Sequence, residues 1–267
     1  RQRLSGDLGF VPTMGCLHEG HLSLVRQAAR ENAHVGVSIF VNPTQFGPQE
    51  DYARYPRTLD QDLELLRQAG VALAFLPHPE AIYPREPHLT WIGVDHLDKN
   101  LCGRSRPGHF RGVCTVVAIL LNIMMPERVY FGRKDAQQAV ILKRMIDDLH
   151  LPVIFRTGET VRDADGLALS SRNRYLSAEW RQKALAIPRS LLWAREEIAA
   201  GQTRCEPLLK GMTAGLEEAG LNVDYLMAVD LGTLEPLSEV RLDGTLVALA
   251  AFAGQTRLID NFILGDL

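Results

Sequence analysis

Two histidines three residues apart, His18 and His21, close the string Phe10-Val-Pro-Thr-Met-Gly-Cys-Leu-His-Glu-Gly-His21, where an apolar run gives way to a helical pattern. Imidazoles at that spacing share a first helical turn and can aim donors at one anion, for which a nucleotide phosphate is the natural candidate. A strand ending in a glycine turn and feeding a helix also points backbone N–H groups and the helix dipole at that place. A His-x-x-His pair by itself reads equally as capping or surface histidines or as half of a metal site, and it is the Thr-Met-Gly approach that favours the anion. Asn42 and Gln45, just past the apolar run His34 to Val41, have the amides to bind a small polar substrate, or they make a simple turn. Lys134 at a helix start is disfavoured by the dipole, which suggests a bound anion, and Asp135 fits both a helix start and a ribose acceptor. Leu169-Ser170-Ser171-Arg172 sets two hydroxyls and a guanidinium side by side, a clamp for a triphosphate or an ordinary serine-rich turn. Arg104, Arg106 and His109 form a basic loop that would hold phosphate or carboxylate, or remain solvated.

These residues need a frame, and the hydrophobic periodicity supplies one. Strands are expected at Leu8 to Val11, His34 to Val41, Ala72 to Leu76, Arg128 to Gly132 and Val153 to Thr157, separated by helical patterns from Gly20, from Thr58 to Gly70, across Val113 to Ile123 and after Asp135. Thr58 and Gln61 have the spacing of a capping box. Alternation of this kind implies a doubly wound, Rossmann-like α/β domain with a parallel sheet, whose ligands sit beyond the carboxyl ends of the strands. Residues 77 to 107 read as an irregular excursion over the substrate cleft, with at most a short strand near Leu89 to Val94. From Ser177 the order changes to helices, to about Ala200 and over Glu206 to Ala219, followed by strands at Val223 to Val229, Thr245 to Phe252 and Arg257 to Leu264. The expected domains are therefore 1–160, Rossmann-like, and 161–267, a smaller α+β domain closing over the nucleotide.

The 267 residues are 46% hydrophobic and 23% charged with net charge −3, ordinary for an enzyme and without the basic excess that nucleic acid requires. Four cysteines, Cys16, Cys102, Cys114 and Cys205, lack Cys-x-x-Cys spacing, so neither a zinc knuckle nor a disulfide framework is expected, and a reducing, cytoplasmic compartment is. Val113 to Met125 is too short for a membrane span, so no membrane association is expected. The chain opens on Arg1 rather than Met, which leaves room for an upstream strand or helix.

Neither Gly-x-x-x-x-Gly-Lys-Ser/Thr nor Gly-x-Gly-x-x-Gly occurs. The His18-x-Gly-His21 string instead resembles the signature of the adenylate-forming nucleotidyltransferase superfamily. Pro-Thr-Met-Gly-Cys-Leu-His-Glu-Gly-His, Phe-Val-Asn-Pro-Thr-Gln-Phe-Gly, Arg-Pro-Gly-His-Phe-Arg-Gly-Val, Tyr-Phe-Gly-Arg-Lys-Asp-Ala-Gln-Gln and Gly-Leu-Ala-Leu-Ser-Ser-Arg-Asn, in that order, resemble the pantothenate synthetase family from about Val11 to the end. The resemblance implies ATP-dependent condensation of pantoate with β-alanine through a pantoyl adenylate, releasing pyrophosphate and AMP. It implies an ATP site of Met14, Gly15, His18, His21, Gly132, Lys134, Asp135, Val161, Leu169, Ser170, Ser171 and Arg172, with His18, His21 and Lys134 catalytic and His21 a proton donor to the phosphates. Gln45 and Gln138, with Asn42, would bind pantoate, Gln45 also meeting β-alanine. Mg2+ would travel with ATP, aided by acidic residues on the helix after Tyr-Pro-Arg-Thr; that helix has Asp60 and Asp62 with Gln61 between them, and Asp62 is the expected contact. The resemblance also implies a homodimer. Two rival functions are a nucleotidyltransferase of the same fold acting on a phosphorylated acceptor, which would need extra cations rather than paired glutamines, and a catalytically silent nucleotide-binding regulator.

Overall fold

A computed structural model describes residues 5–48 and 50–267; the opening at Arg1 lies outside the described residues. In chain order the elements are β1 (Leu8–Thr13), α1 (Glu19–Glu31), β2 (His34–Ile39), α2 (Leu59–Gln68), β3 (Leu73–Phe75), α3 (Pro79–Ile82), α4 (Leu101–Ser105), α5 (His109–Met124), β4 (Arg128–Gly132), α6 (Ala136–Asp148), β5 (Ile154–Gly158), α7 (Ala178–Ala184), α8 (Ala186–Ala199), α9 (Cys205–Glu218), β6 (Asn222–Asp230), β7 (Thr245–Ala253) and β8 (Thr256–Leu264). They fall into two compact units. One comprises 1–95, 106–133 and 141–159, and the other 96–105, 134–140 and 160–267. The second unit thus begins at Thr160 but also takes in two segments that the sequence pattern assigns to the first.

In the first unit five strands pair in the order β3-β2-β1-β4-β5, all parallel. Continuous apolar runs such as Val35 and Val37 suit strands covered on both faces. Helix α1 buries Leu24, Val25 and Ala28 against Val11, Val35, Val37 and Tyr130, so its apolar stripe fixes how the turn after β1 meets the sheet. The order reverses between β1 and β4, which makes their carboxyl ends the switch point where doubly wound sheets bind ligands. No strand forms at Leu89 to Val94. Ile92 N there donates to Thr115 Oγ1 on α5, so that backbone is satisfied by a side chain instead of a ladder.

In the second unit β6, β7 and β8 form an antiparallel meander. Its core gathers Leu185, Ile187, Leu191 and Ala194 of the α7–α8 region, Leu208, Met212 and Leu216 of α9, and Val247, Leu249 and Ala251 of β7. Among the described residues no helix is long and apolar enough to cross a membrane.

Candidate active site

In the first unit the chain leaves β1 at Thr13 and turns through Gly15, φ +79°, and Cys16, φ +51°. Two consecutive left-handed residues aim successive N–H groups to one side, an anion-binding concavity. The anion in it belongs to the protein: Cys16 N donates to Asp62 Oδ2 at 2.9 Å and Leu17 N to Asp62 Oδ1 at 2.8 Å. Gly15 N donates to Thr13 Oγ1, whose own hydroxyl donates to Ser38 O. The expectation that this turn leaves its N–H groups unpaired is therefore corrected: an intramolecular carboxylate takes Cys16 N and Leu17 N, and the Thr13 hydroxyl takes Gly15 N.

His18 is the N-cap of α1, and its Nδ1 accepts from Gly20 N at 3.2 Å, while His21 Nδ1 accepts from His18 N at 3.2 Å. This reciprocal box determines chemistry as well as helix start. A neutral ring whose Nδ1 accepts must carry its proton on Nε2, so both imidazoles are held as Nε2–H donors, their centroids 4.1 Å apart. Both histidines are half-buried, and Met14 lies on the approach to them.

Asn42 is 1% exposed and caps the 3-10 turn Pro43–Gln45. Its amide nitrogen donates to Gln45 Oε1 at 3.1 Å and to Gly112 O at 3.2 Å, and its oxygen accepts from Thr44 N, Thr44 Oγ1 and Tyr83 Oη, the last at 2.7 Å. Burial pushes the Tyr83 phenol up, so it stays protonated as a donor to Asn42. With every donor and acceptor engaged inside the protein, Asn42 orients the Gln45 amide. Among the described residues Gln45 Nε2 meets the sulfur of Met14, at 3.0 Å, a weak acceptor. The Gln45 carbonyl is held in turn by His109 Nδ1 at 2.8 Å and Arg106 at 3.3 Å, and Arg106 forks onto Glu50 at 2.7 and 2.6 Å. Burial raises the Glu50 carboxyl, but the guanidinium and the Gly47 amide outweigh it and hold the group below the usual range. Arg106 thus holds a carboxylate of the protein itself, and with His109 it anchors the Gln45 turn.

Thr58 is the N-cap residue of α2 but makes no side-chain cap bond; its hydroxyl donates to Asp62 Oδ1 at 3.2 Å. The Thr58–Gln61 capping box is absent because the buried carboxylate, 2% exposed, takes the hydroxyl. Asp62, expected beside the metal, already accepts from three donors. Among the described residues no group of three or more His, Cys, Asp or Glu could hold a metal ion. Strand β4 ends at Gly132, opposite Gly158 of β5.

In the second unit Lys134 and Asp135 lie in the 3-10 turn Arg133–Asp135 that leads into α6, with Lys134 Nζ 3.8 Å from Asp135 Oδ1. The Lys134 side chain is 19% exposed and that of Asp135 48%, and Asn261 Nδ2 holds the Lys134 carbonyl at 2.7 Å. Gln137 and Gln138 diverge. Gln137 is buried and ties Leu97 O and Asn100 O, whereas Gln138, on the first turn of α6, is half-buried. Leu169 N donates to Val161 O, closing the polar loop on itself, and Ser170 caps the 3-10 turn Ser171–Tyr175 through Arg172 N. At the foot of the loop Arg162 forks onto buried Asp260 at 2.6 and 3.0 Å. Sequence reasoning missed Tyr83 and Glu50; each is a single polar residue in a nondescript stretch, with no spacing to flag it.

Comparison with known proteins follows the same lines. A family profile described as Pantoate-beta-alanine ligase matches residues 1–263. The chain is 50% identical to a protein named Pantothenate synthetase from Pseudothermotoga lettingae over 266 residues, 99% of this chain and 94% of that one, and 52% identical to its namesake from Thermotoga petrophila over 259 residues, 97% and 92%. A crystal structure of pantothenate synthetase from Thermus thermophilus superposes with a TM-score of 0.93 at 47% identity, covering 97% of this chain and 94% of that one. A pantoate-beta-alanine ligase from Francisella tularensis, complexed with beta-gamma ATP and beta-alanine, superposes at 0.80 with 36% identity, covering 98% and 92%.

Proposed function

The chain belongs to the pantoate-beta-alanine ligase family, and from that premise we propose how its own residues carry the reaction. The enzyme joins pantoate to β-alanine at the expense of ATP. The pantoate carboxylate attacks the α-phosphorus and pyrophosphate leaves; the β-alanine amine then attacks the acyl carbon of the pantoyl adenylate and AMP leaves. Neither step needs a protein nucleophile. Charge spreads over phosphate oxygens, and fixed donors stabilise it.

The observation that carries this reading is the paired box at His18 and His21, which presets two Nε2–H donors before any ligand arrives. In our assignment both donate Nε2–H hydrogen bonds to the ATP phosphates, His21 as the donor nearest the developing charge, and Lys134 adds a positive charge. Met14, Gly15, Gly132, Asp135 and Val161, with Leu169 to Arg172, hold the rest of the nucleotide. Gln45 and Gln138 bind pantoate through neutral amides. A cation there would stabilise the ground-state carboxylate and blunt its attack, so amides suit the chemistry. Gln45 exchanges the Met14 sulfur for a substrate oxygen, and its amide also meets β-alanine.

Mg2+, in this reading, arrives on the ATP phosphates and neutralises their charge. The donor set around Asp62, two backbone N–H groups and a hydroxyl, does not fit a protein-bound ion. We further assign the enzyme to the cytoplasm as a homodimer, on the spacing of its cysteines and its family.

Mixing protein, ATP and pantoate without β-alanine should release pyrophosphate in about one equivalent per site, a burst that stoichiometric adenylate formation requires. Pyrophosphate that appears only after β-alanine is added would rule out the stepwise route.

A further inference from the structure

We propose that Asp62 is a positioning residue for nucleotide binding: its buried carboxylate is the internal anion that holds the Gly15–Leu17 turn and, through it, the His18 imidazole. The inference rests on the reading that His18 and His21 meet ATP. Asp62 stands on the first turn of α2, is 2% exposed, and receives Cys16 N, Leu17 N and the Thr58 hydroxyl at 2.9, 2.8 and 3.2 Å. The turn it holds is one the chain would not keep unaided. Cys16 has a Cβ and a φ of +51°, a region that side chains disfavour, and such conformations persist only where the surroundings over-determine them. Here the surroundings are a charge, and hydrogen bonds to a charged acceptor are about twice as strong as neutral ones. Gly15 fits the same geometry, since a Cβ there would stand 3.0 Å from Asp62 Oδ2 and 2.9 Å from Ile39.

The chain runs from Leu17 directly into His18, whose φ and ψ of −141° and 176° begin α1. Releasing Cys16 N and Leu17 N therefore frees the residue whose ring must stay in register with Gly20 N. Oδ1 already accepts two donors and Oδ2 one, so the carboxylate has at most one lone pair left for a cation.

The test uses the full chain carrying Asp62→Asn or Thr58→Val. An asparagine turns an NH2 toward one of the two amides, while valine removes only the third donor. Amide exchange at Cys16 and Leu17, read by NMR without ATP or metal, should rise at least tenfold in Asp62→Asn while Phe10 and Val11 of β1 keep their protection. ATP affinity by calorimetry should fall about tenfold, the size expected for losing a charged hydrogen bond, and raising Mg2+ should not restore it. Thr58→Val should move both readouts the same way, two- to threefold, and decides the matter if Asp62→Asn does not fold. Unchanged exchange at Cys16 and Leu17 would overturn the clamp. Faster exchange with unchanged ATP affinity would overturn its role in binding. Recovery of affinity at high Mg2+ would make Asp62 a metal ligand instead. None of these outcomes bears on the pyrophosphate burst, so the proposal and the reaction stand or fall separately.

Discussion

At the scale of single residues, hydrogen-bond saturation separates the groups proposed to meet substrate from those that hold them. Asn42 and Gln45 carry the same amide, yet Asn42 has all its partners inside the protein and Gln45 keeps only a thioether on its nitrogen. Asn42→Ala should therefore act through Gln45. Pantoate affinity should drop on the order of tenfold, from one lost buried hydrogen bond and the partners left unpaired, while ATP affinity holds. Calorimetric titration of each ligand separates the two, and equal loss of both would end the distinction drawn here. Behind Gln45, the Glu50–Arg106 pair carries a pH signature. Because the folded carboxyl lies below its unfolded value of about 4.3, the pair contributes stability that is fully present above that value and is lost as pH falls through the lowered folded one. Arg106→Gln should raise the Glu50 titration midpoint, followed by carbon NMR of its carboxyl. A midpoint that stays put would mean that Arg106 is not what depresses it.

Among elements, α5 is pressed against the Pro43–Gln45 turn at a point where only glycine fits. A Cβ on Gly112 would collide with the Thr44 carbonyl and stand 2.8 Å from Gln45 N, backbone atoms that cannot rotate away. Gly112→Ala should cost about 1–3 kcal/mol as an overpacking change and raise the pantoate KM. A variant with wild-type melting temperature and KM would show that the turn can shift freely. Such close approaches were invisible in the sequence, whereas the elements themselves were largely readable. Parallel strands announced themselves as β-branched runs, and α1 by Leu24, Val25 and Ala28 at helical spacing. The strand-turn-helix junctions that carry the motif residues were readable too, after β1 and after β4. What sequence could not convey was direction. The Gly15–Leu17 amides turn inward to Asp62, the Thr58 hydroxyl leaves its helix for the same carboxylate, and Arg106 faces Glu50. Each outcome depends on a partner 4 to 56 residues away, and local pattern does not encode which partner wins.

At the scale of the whole molecule, two apolar clusters of different character stand among the described residues, one in the parallel sheet and a second in the antiparallel meander with three helices. All buried members of the second core lie between Leu167 and Phe262, yet the unit they belong to also contains 96–105 and 134–140. Those two inserted segments supply particular bonds. Asn100 Nδ2 donates to Leu234 O at 3.0 Å, Asn261 Nδ2 to Lys134 O at 2.7 Å, and Ser105 Oγ to Asp224 at 3.1 Å. Cys102 Sγ lies 3.2 Å from the Tyr225 hydroxyl, and burial drives that phenol well up. A fragment spanning 160–267 keeps the apolar cluster between Leu167 and Phe262 but loses these partners and the buried Leu101, Cys102, Ala139 and Val140, so it should fold cooperatively but with lowered stability. At about 1 kcal/mol per lost bond, more where a buried group is left unpaired, the hydrogen bonds alone account for roughly 3–5 kcal/mol. For a domain of this size that corresponds to a melting temperature on the order of 10–30 °C below that of the same unit in the whole chain. Differential scanning calorimetry of the fragment and of the full chain makes the comparison. A fragment without a cooperative transition would show that the core between Leu167 and Phe262 cannot stand without the inserted segments, and one melting as high as the full chain would show that their bonds contribute nothing.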